Sequence, residues 1–289
     1  MDFGDRKYYL NIGVHDISPD FRLETGYIPR DGTTTLDLSA QRTFYLEKRL
    51  LQKMNVGYWG YIQQDTYFNM GDGLHNFYVR FGMPRTTELD LECAVGSEIF
   101  EGKSFDRGSA EVEFTSQILK SLYIVLEIGM QGSPYYDEEE NPFQGDVSNQ
   151  VGFFNFQPTE NFSSEFLMVR EAFTSRGHGY MMYDYRIYRN KTTYQVNKYL
   201  FLRGILDYSH VQYPDYHLHY PEDGEIEDEQ GLTGELLLGF TYFPGTVLYL
   251  GYGTRRENLE YDGEEYVPVA AFHEMKRGLF FKASYNWRL

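Results

Sequence analysis

Apolar and polar residues take turns along this chain with a period of two. The pattern is clearest where Leu89, Leu91, Cys93 and Val95 alternate with Glu88, Asp90, Glu92 and Ala94. Successive side chains of a strand point to opposite faces, so this stretch predicts a strand with one apolar and one acidic face. Three carboxylates on one face require water or cations, not a dry core. The same rhythm places Ala110, Val112 and Phe114 opposite Glu111, Glu113 and Thr115, and sets Leu122, Ile124, Leu126 and Ile128 opposite Tyr123, Val125, Glu127 and Gly129. At the chain's end Leu279, Phe281, Ala283, Tyr285, Trp287 and Leu289 oppose Gly278, Phe280, Lys282, Ser284, Asn286 and Arg288.

Read from end to end, the alternation predicts about fourteen strands, an even number, in an all-β, antiparallel, up-and-down transmembrane barrel. They begin with Tyr8 to His15, Thr34 to Glu47, Asn55 to Tyr67 and Leu74 to Met83, and continue through Glu88 to Val95, Ser109 to Leu119 and Ser121 to Met130. The second half adds Gln150 to Gln157, Phe162 to Phe173, Tyr183 to Gln195, Tyr199 to Tyr208, Leu232 to Tyr242, Thr246 to Arg256 and Arg277 to Leu289. Gly71-Asp72-Gly73 and Ser97 to Arg107 read as loops, and Pro84 as a tight turn. Short links alternate with longer ones near Gly132 to Asn149, Ser175 to Met182, Ser209 to Gln230 and Glu257 to Met275. Barrels keep short turns in the periplasm and long loops outside, which predicts that both termini are periplasmic.

Composition fits that expectation. Aromatics make up 18% of the chain, with 27 Tyr and 22 Phe, and such rings collect where hydrocarbon meets water. No run approaches the length of apolar residues that a membrane helix needs, and the mean hydropathy is negative. A barrel strand exposes every second residue to lipid, so neither fact argues against a membrane. Cys93 alone permits no intrachain disulfide and no cysteine metal cluster. The formal charge of −17, from 26 Lys+Arg against 43 Asp+Glu, makes nucleic-acid binding improbable. Acidic runs at Asp137 to Glu140 and Glu222 to Glu229 read as solvated loops or as ligands of a divalent cation, the one cofactor the sequence suggests. Met1 is followed at once by Asp2, Asp5 and KYYLNIGV, without a charged-then-apolar leader. The expectation is that residues 1–289 form one barrel domain, either complete after removal of a leader or the C-terminal part of a longer precursor.

Two resemblances sharpen this reading. Lys282, Ser284, Trp287 and terminal Leu289 resemble the aromatic-rich finish that outer-membrane barrels present as their assembly signal. The stretch SPDFRLETGYIPRDG resembles the F-N-P-E-L-G-F-V-x-R type signature of a bacterial barrel family of unknown function, in which the barrel commonly follows a domain similar to a family-nine carbohydrate-binding module. Phe21, Gly26, Tyr27 and Arg30 match that signature, Arg22 and Thr25 depart from it, and the carbohydrate-binding-like domain is absent. Segments within Asp184 to Leu289 are similar to the family's last strands. The resemblance implies the outer membrane of Gram-negative bacteria, with outer-membrane lipids, lipopolysaccharide and the barrel assembly machinery as partners, and no reaction.

Projecting the alternation inward predicts a charged lumen lining: Arg80, Glu88, Asp90, Glu92, Glu111, Glu113, Glu127, Asp184, Arg186, Arg203, Asp207, Lys282 and Arg288. Rings of charge select solutes by sign, and this set predicts a weakly cation-preferring passive pore. The alternatives are a structural barrel, plugged by its own ion pairs, that serves a larger envelope complex, and a barrel-embedded hydrolase. The hydrolase lacks a nucleophile motif beside His15, His75, His178 or His273, so no catalysis is expected. His217 and His219, near His210, Asp215 and Glu222, offer an unspecific metal set.

Overall fold

The computed structural model describes residues 2–22, 30–46, 48–136, 141–222, 226–243, 246–261 and 266–285. They form a 16-stranded antiparallel sheet in which strands follow one another in chain order, except that the seventh pairs only with the sixth and the eighth takes its place beside the sixth. The strands are β1 (Asp2–Gly4), β2 (Tyr8–Ile17), β3 (Thr33–Tyr45), β4 (Lys53–Asp65), β5 (Met70–Met83), β6 (Thr87–Phe100), β7 (Lys103–Asp106) and β8 (Ser109–Leu119). They continue as β9 (Leu122–Pro134), β10 (Gln144–Thr159), β11 (Phe162–Ser175), β12 (Met181–Gln195), β13 (Leu200–Gln212), β14 (Glu229–Phe243), β15 (Thr246–Tyr261) and β16 (Tyr266–Tyr285). A single helical turn, α1 (Tyr216–His219), lies between β13 and β14. No described helix is long and apolar enough to cross a membrane.

All fourteen expected strands are present. The count rises to sixteen through β1 and β7, which are three and four residues long and too short to display a period. Most links shrink relative to expectation because polar stretches join the ladder: β5 already starts at Met70, so Gly71-Asp72-Gly73 is strand and not loop. Glycine is needed at position 73 because a Cβ there would lie 2.4 Å from the Tyr61 carbonyl oxygen of the neighbouring strand. The expected loop Ser97 to Arg107 is the end of β6 paired back on β7, turned at Glu101 and Gly102, both with positive φ. The expected long connection Glu257 to Met275 is mostly strand, since β15 runs to Tyr261 and β16 begins at Tyr266. The Pro84 turn is confirmed: Arg85 and Thr86 are both left-handed, the geometry that matches strand twist in a two-residue hairpin.

The chain divides into two compact units: Met1–Thr115 with Glu127–Ser148 and Ser175–Gly179, and Ser116–Leu126 with Asn149–Thr174 and Tyr180–Leu289. In the first, Val14, Leu36 and Ile62 stand side by side in register and are 70%, 44% and 53% exposed. The opposite face of β3 and β4, continued onto β5, carries Thr33, Asp65, Asn55 and Asn76, all buried. In the second unit Leu236, Tyr252 and Leu279 are side by side and exposed. Each unit thus presents its apolar face and shields its polar one. Buried apolar side chains are few and gather toward strand ends, as with Ile99, Phe105, Tyr135 and Val147 in the first unit.

Candidate functional site

The shielded face of the first unit is acidic because β5, β6 and β8 align their polar rows. Register places Arg80 opposite Asp90 and Asp90 opposite Glu113, with Tyr78, Glu92 and Glu111 in the next row and Glu88 opposite Thr115. Arg80 donates from Nε to both oxygens of Asp90 at 2.8 and 2.7 Å. Lys53 Nζ stands 3.6 Å from Glu88, and Asn76 donates to Glu92 at 2.9 Å. Thr115 donates to Glu113. Glu92 and Glu111 face each other across the ladder without a cation between them in that row. On β9, Glu127 lies on the side opposite exposed Leu126 and Ile128 and so belongs to the same face. The expected row of Arg80, Glu88, Asp90, Glu92, Glu111, Glu113 and Glu127 is thereby brought together, as an excess of carboxylates around two cations.

Arg30 has a role that motif matching did not define. Its guanidinium bridges Asp65 and Asp72, donating from Nε to Asp65 at 2.8 Å and from Nη1 to Asp72 at 2.5 Å. Asp72 also accepts the Ile99 N–H, and Asp65 that of Phe68. This ties the residue before β3 to the ends of β4, β5 and β6. Phe21 is exposed, whereas Gly26 and Tyr27 lie outside the described residues.

In the second unit the shielded face carries Lys191 on Glu165 at 3.1 Å and Arg189 near Asp207 at 3.8 Å. Arg203 lies over the Phe201 ring, and its buried Nε has no partner among the described residues. Lys282 faces Tyr249, two residues from Ser284 on the same side of β16; Trp287, Arg288 and Leu289 lie outside the described residues. Asp184 and Arg186 depart from expectation. Continuous register through β12 and β13 places them in line with Tyr188, Leu202 and Leu206, on the exposed apolar face and opposite Arg203. Period-two counting failed here because β11 and β12 carry polar residues on both faces, so the register to β13 is what assigns them. Arg170, absent from the sequence-based set, sits directly opposite Arg186 and joins it on Asp184.

His217 and His219 lie on the single turn α1, and among the described residues no group of three His, Cys, Asp or Glu can hold a metal ion. Of the acidic runs, Asp137 to Glu140 and positions 223–225 lie outside the described residues. Arg176-Gly177-His178-Gly179 forms the turn between β11 and β12, as expected.

No family model matches the chain, and no curated protein does. Among solved structures it is similar to OmpT, an outer membrane protein of Vibrio cholerae. The outer-membrane expressed form gives a TM-score of 0.42 at 10% identity over 99% of this chain and 100% of that one. The in-vitro folded trimer form gives 0.41 at 9% identity over 97% of each chain.

Proposed function

We propose that this chain is an integral outer-membrane β-barrel, closed on itself, that works as a passive and weakly cation-preferring pore for small solutes without a reaction of its own. The observation that carries the reading is the polarity of the strands. A water-soluble sheet buries its apolar face; here Val14, Leu36, Ile62, Leu236 and Leu279 are exposed while Thr33, Asn55, Asp65 and Asn76 are shielded. The fourteen long strands, 10 to 20 residues each, meet or exceed the roughly nine to eleven that a tilted strand needs to cross the hydrocarbon. In this orientation β7 and the link at 213–228 are external, and both termini are periplasmic.

The acidic row supplies the preference. Asp90 neutralises Arg80, so Glu92, Glu111 and Glu113 remain to attract cations. The test is heat-modifiable gel migration of the detergent-folded chain, followed by planar-bilayer conductance on the same sample. A compact band with steady, cation-selective current is expected. A compact band without current replaces the pore with a plugged structural barrel, and the absence of a compact band overturns the barrel itself.

A further inference from the structure

On the exposed apolar face of the second unit, residue type changes in layers along the strands. Arg170 faces Arg186, and Arg186 faces His210. Two residues further along each strand, Tyr188 faces Tyr208 with the rings stacked at 6.3 Å, and that row continues through Leu232 to Arg256. In the next two rows Leu206 stands beside Gly234 and Gly204 beside Leu236, with Asn190 and Thr192 on β12 and Thr254 and Arg277 on β15 and β16. Along β13 and β14 a charged or polar row gives way to a tyrosine row and then to leucine and glycine, the order that a headgroup layer, its boundary and hydrocarbon impose.

This face is over-supplied with guanidinium. Arg170 and Arg186 each close on Asp184 through Nε and Nη2, at 2.6 to 3.1 Å, so two cations share one carboxylate. Arg256, in the tyrosine row and opposite Glu274 in register, is exposed and forms no ion pair among the described residues. The other carboxylates near this rim are engaged: Asp228 accepts from His210 and Gln212, and Glu274 pairs with Arg277. Glu260 stands beyond the rim, further along β15. Below the tyrosines lies a depression of about 360 Å³ lined by Asn190, Gly204, Leu206, Gly234, Leu236 and Thr254. Packing does not demand those two glycines, because a Cβ at either would meet only a methyl group at 3.6 Å. The space is open.

We infer that this face binds a phosphorylated glycolipid, with its phosphates on Arg170, Arg186 and Arg256 and one acyl chain in the depression at Gly204 and Gly234. Guanidinium matches phosphate in charge and in fork geometry, and cations in and just above a tyrosine row, over leucine side chains, fit an anionic amphiphile better than a free ion. The inference rests on the barrel reading, since it needs the apolar face to meet lipid.

The test is native mass spectrometry of the detergent-folded chain with bisphosphorylated lipid A, with its dephosphorylated form, and with inorganic phosphate as competitor. The phosphorylated lipid is expected to be retained preferentially. Arg256→Gln, which removes no ion pair, and Arg170→Gln, which leaves Asp184 on Arg186, should each weaken it about fivefold without affecting the dephosphorylated lipid. Gly234→Leu fills the depression and should weaken both lipids alike. Equal retention of the two lipids by the parent chain, or displacement by inorganic phosphate at the lipid's own concentration, overturns the site. If the compact gel band persists in that case, the barrel stands and only the site is lost; if no compact band forms, both are lost.

Discussion

Two ion clusters, one in each unit, set two charges against one and are mirror images in charge. In the first, Arg176 lies between two carboxylates, donating from Nη1 to Asp106 at 2.8 Å and from Nη2 to Asp146 at 2.5 Å. In the second, Asp184 lies between two guanidiniums. The environments differ more than the chemistry. The Arg176 and Asp106 side chains are 43% and 49% exposed, whereas that of Asp184 is 3% exposed beneath Arg170 and Arg186. Water can replace either carboxylate at Arg176, but nothing reaches Asp184 to replace its guanidiniums. The first cluster fastens a turn, while the second is a condition for keeping two like charges opposite each other on an apolar face.

The largest expected effect tests that difference directly. Asp184→Ala leaves Arg170 and Arg186 facing each other uncompensated and should cost about 3–5 kcal/mol in denaturant unfolding of the folded protein. Asp106→Ala should cost under about 1 kcal/mol, because its partner is exposed and keeps Asp146. Equal costs would mean that burial does not separate the two clusters. A second contrast concerns glycines. Gly73→Ala drives a Cβ against the Tyr61 carbonyl oxygen, which cannot move without breaking the ladder, and should cost about 1–3 kcal/mol. Gly204→Ala meets only a leucine methyl group and should be near neutral in the same assay. A large loss at Gly204 would show that its open space is required by packing, and would weaken the case for a ligand there.

The sequence legibly carried what depends on local period and not what depends on register. The row from Glu88 to Glu92 was readable because each strand of that region alternates cleanly, so counting by two assigned the face that the ladder later showed. Asp184 and Arg186 were misassigned because β12 reads Asp-Tyr-Arg-Ile-Tyr-Arg, polar or amphipathic at nearly every position, and only pairing with Leu202 and Leu206 on β13 fixes the face. The bridge from Arg30 to Asp65 and Asp72 was invisible for a related reason. Its partners are 35 and 42 residues away, and one of them sits in a Gly-Asp-Gly run that looks like a loop. Gly73 there marks close backbone approach inside a strand, a meaning that composition alone does not separate from a turn.

Smaller in energy but closer to function is the contrast between the two shielded faces. The first unit's carries carboxylates in excess, the second's an unpartnered Arg203 Nε. Glu92→Gln with Glu111→Gln removes two negative charges and spares the Arg80–Asp90 pair, so folding should be unchanged. The reversal potential in a salt gradient should move toward zero or toward anion preference. Arg203→Gln should move it the other way. No change in either variant would place the selecting residues outside the strands, in the external links.

The smallest effect is a dependence on pH at the exposed cluster. The hydrogen bond from Arg176, reinforced by the Gly108 N–H, holds the Asp106 carboxyl below its ordinary range. A depressed carboxylate contributes stability that is present above its unfolded value and is lost as pH falls through the folded one. The window therefore opens below about pH 4. Across it, the protection of the amides at Gly108 and in β7, measured against their intrinsic exchange rates, should fall, and Arg176→Gln should lower protection at pH 6 to that of the parent chain at pH 3. Protection around Asp184 should not follow, since that carboxylate is covered by two guanidiniums. If both clusters loosened together on acidification, exposure could not be what distinguishes them, and the mirror symmetry of their charges would be the more informative fact.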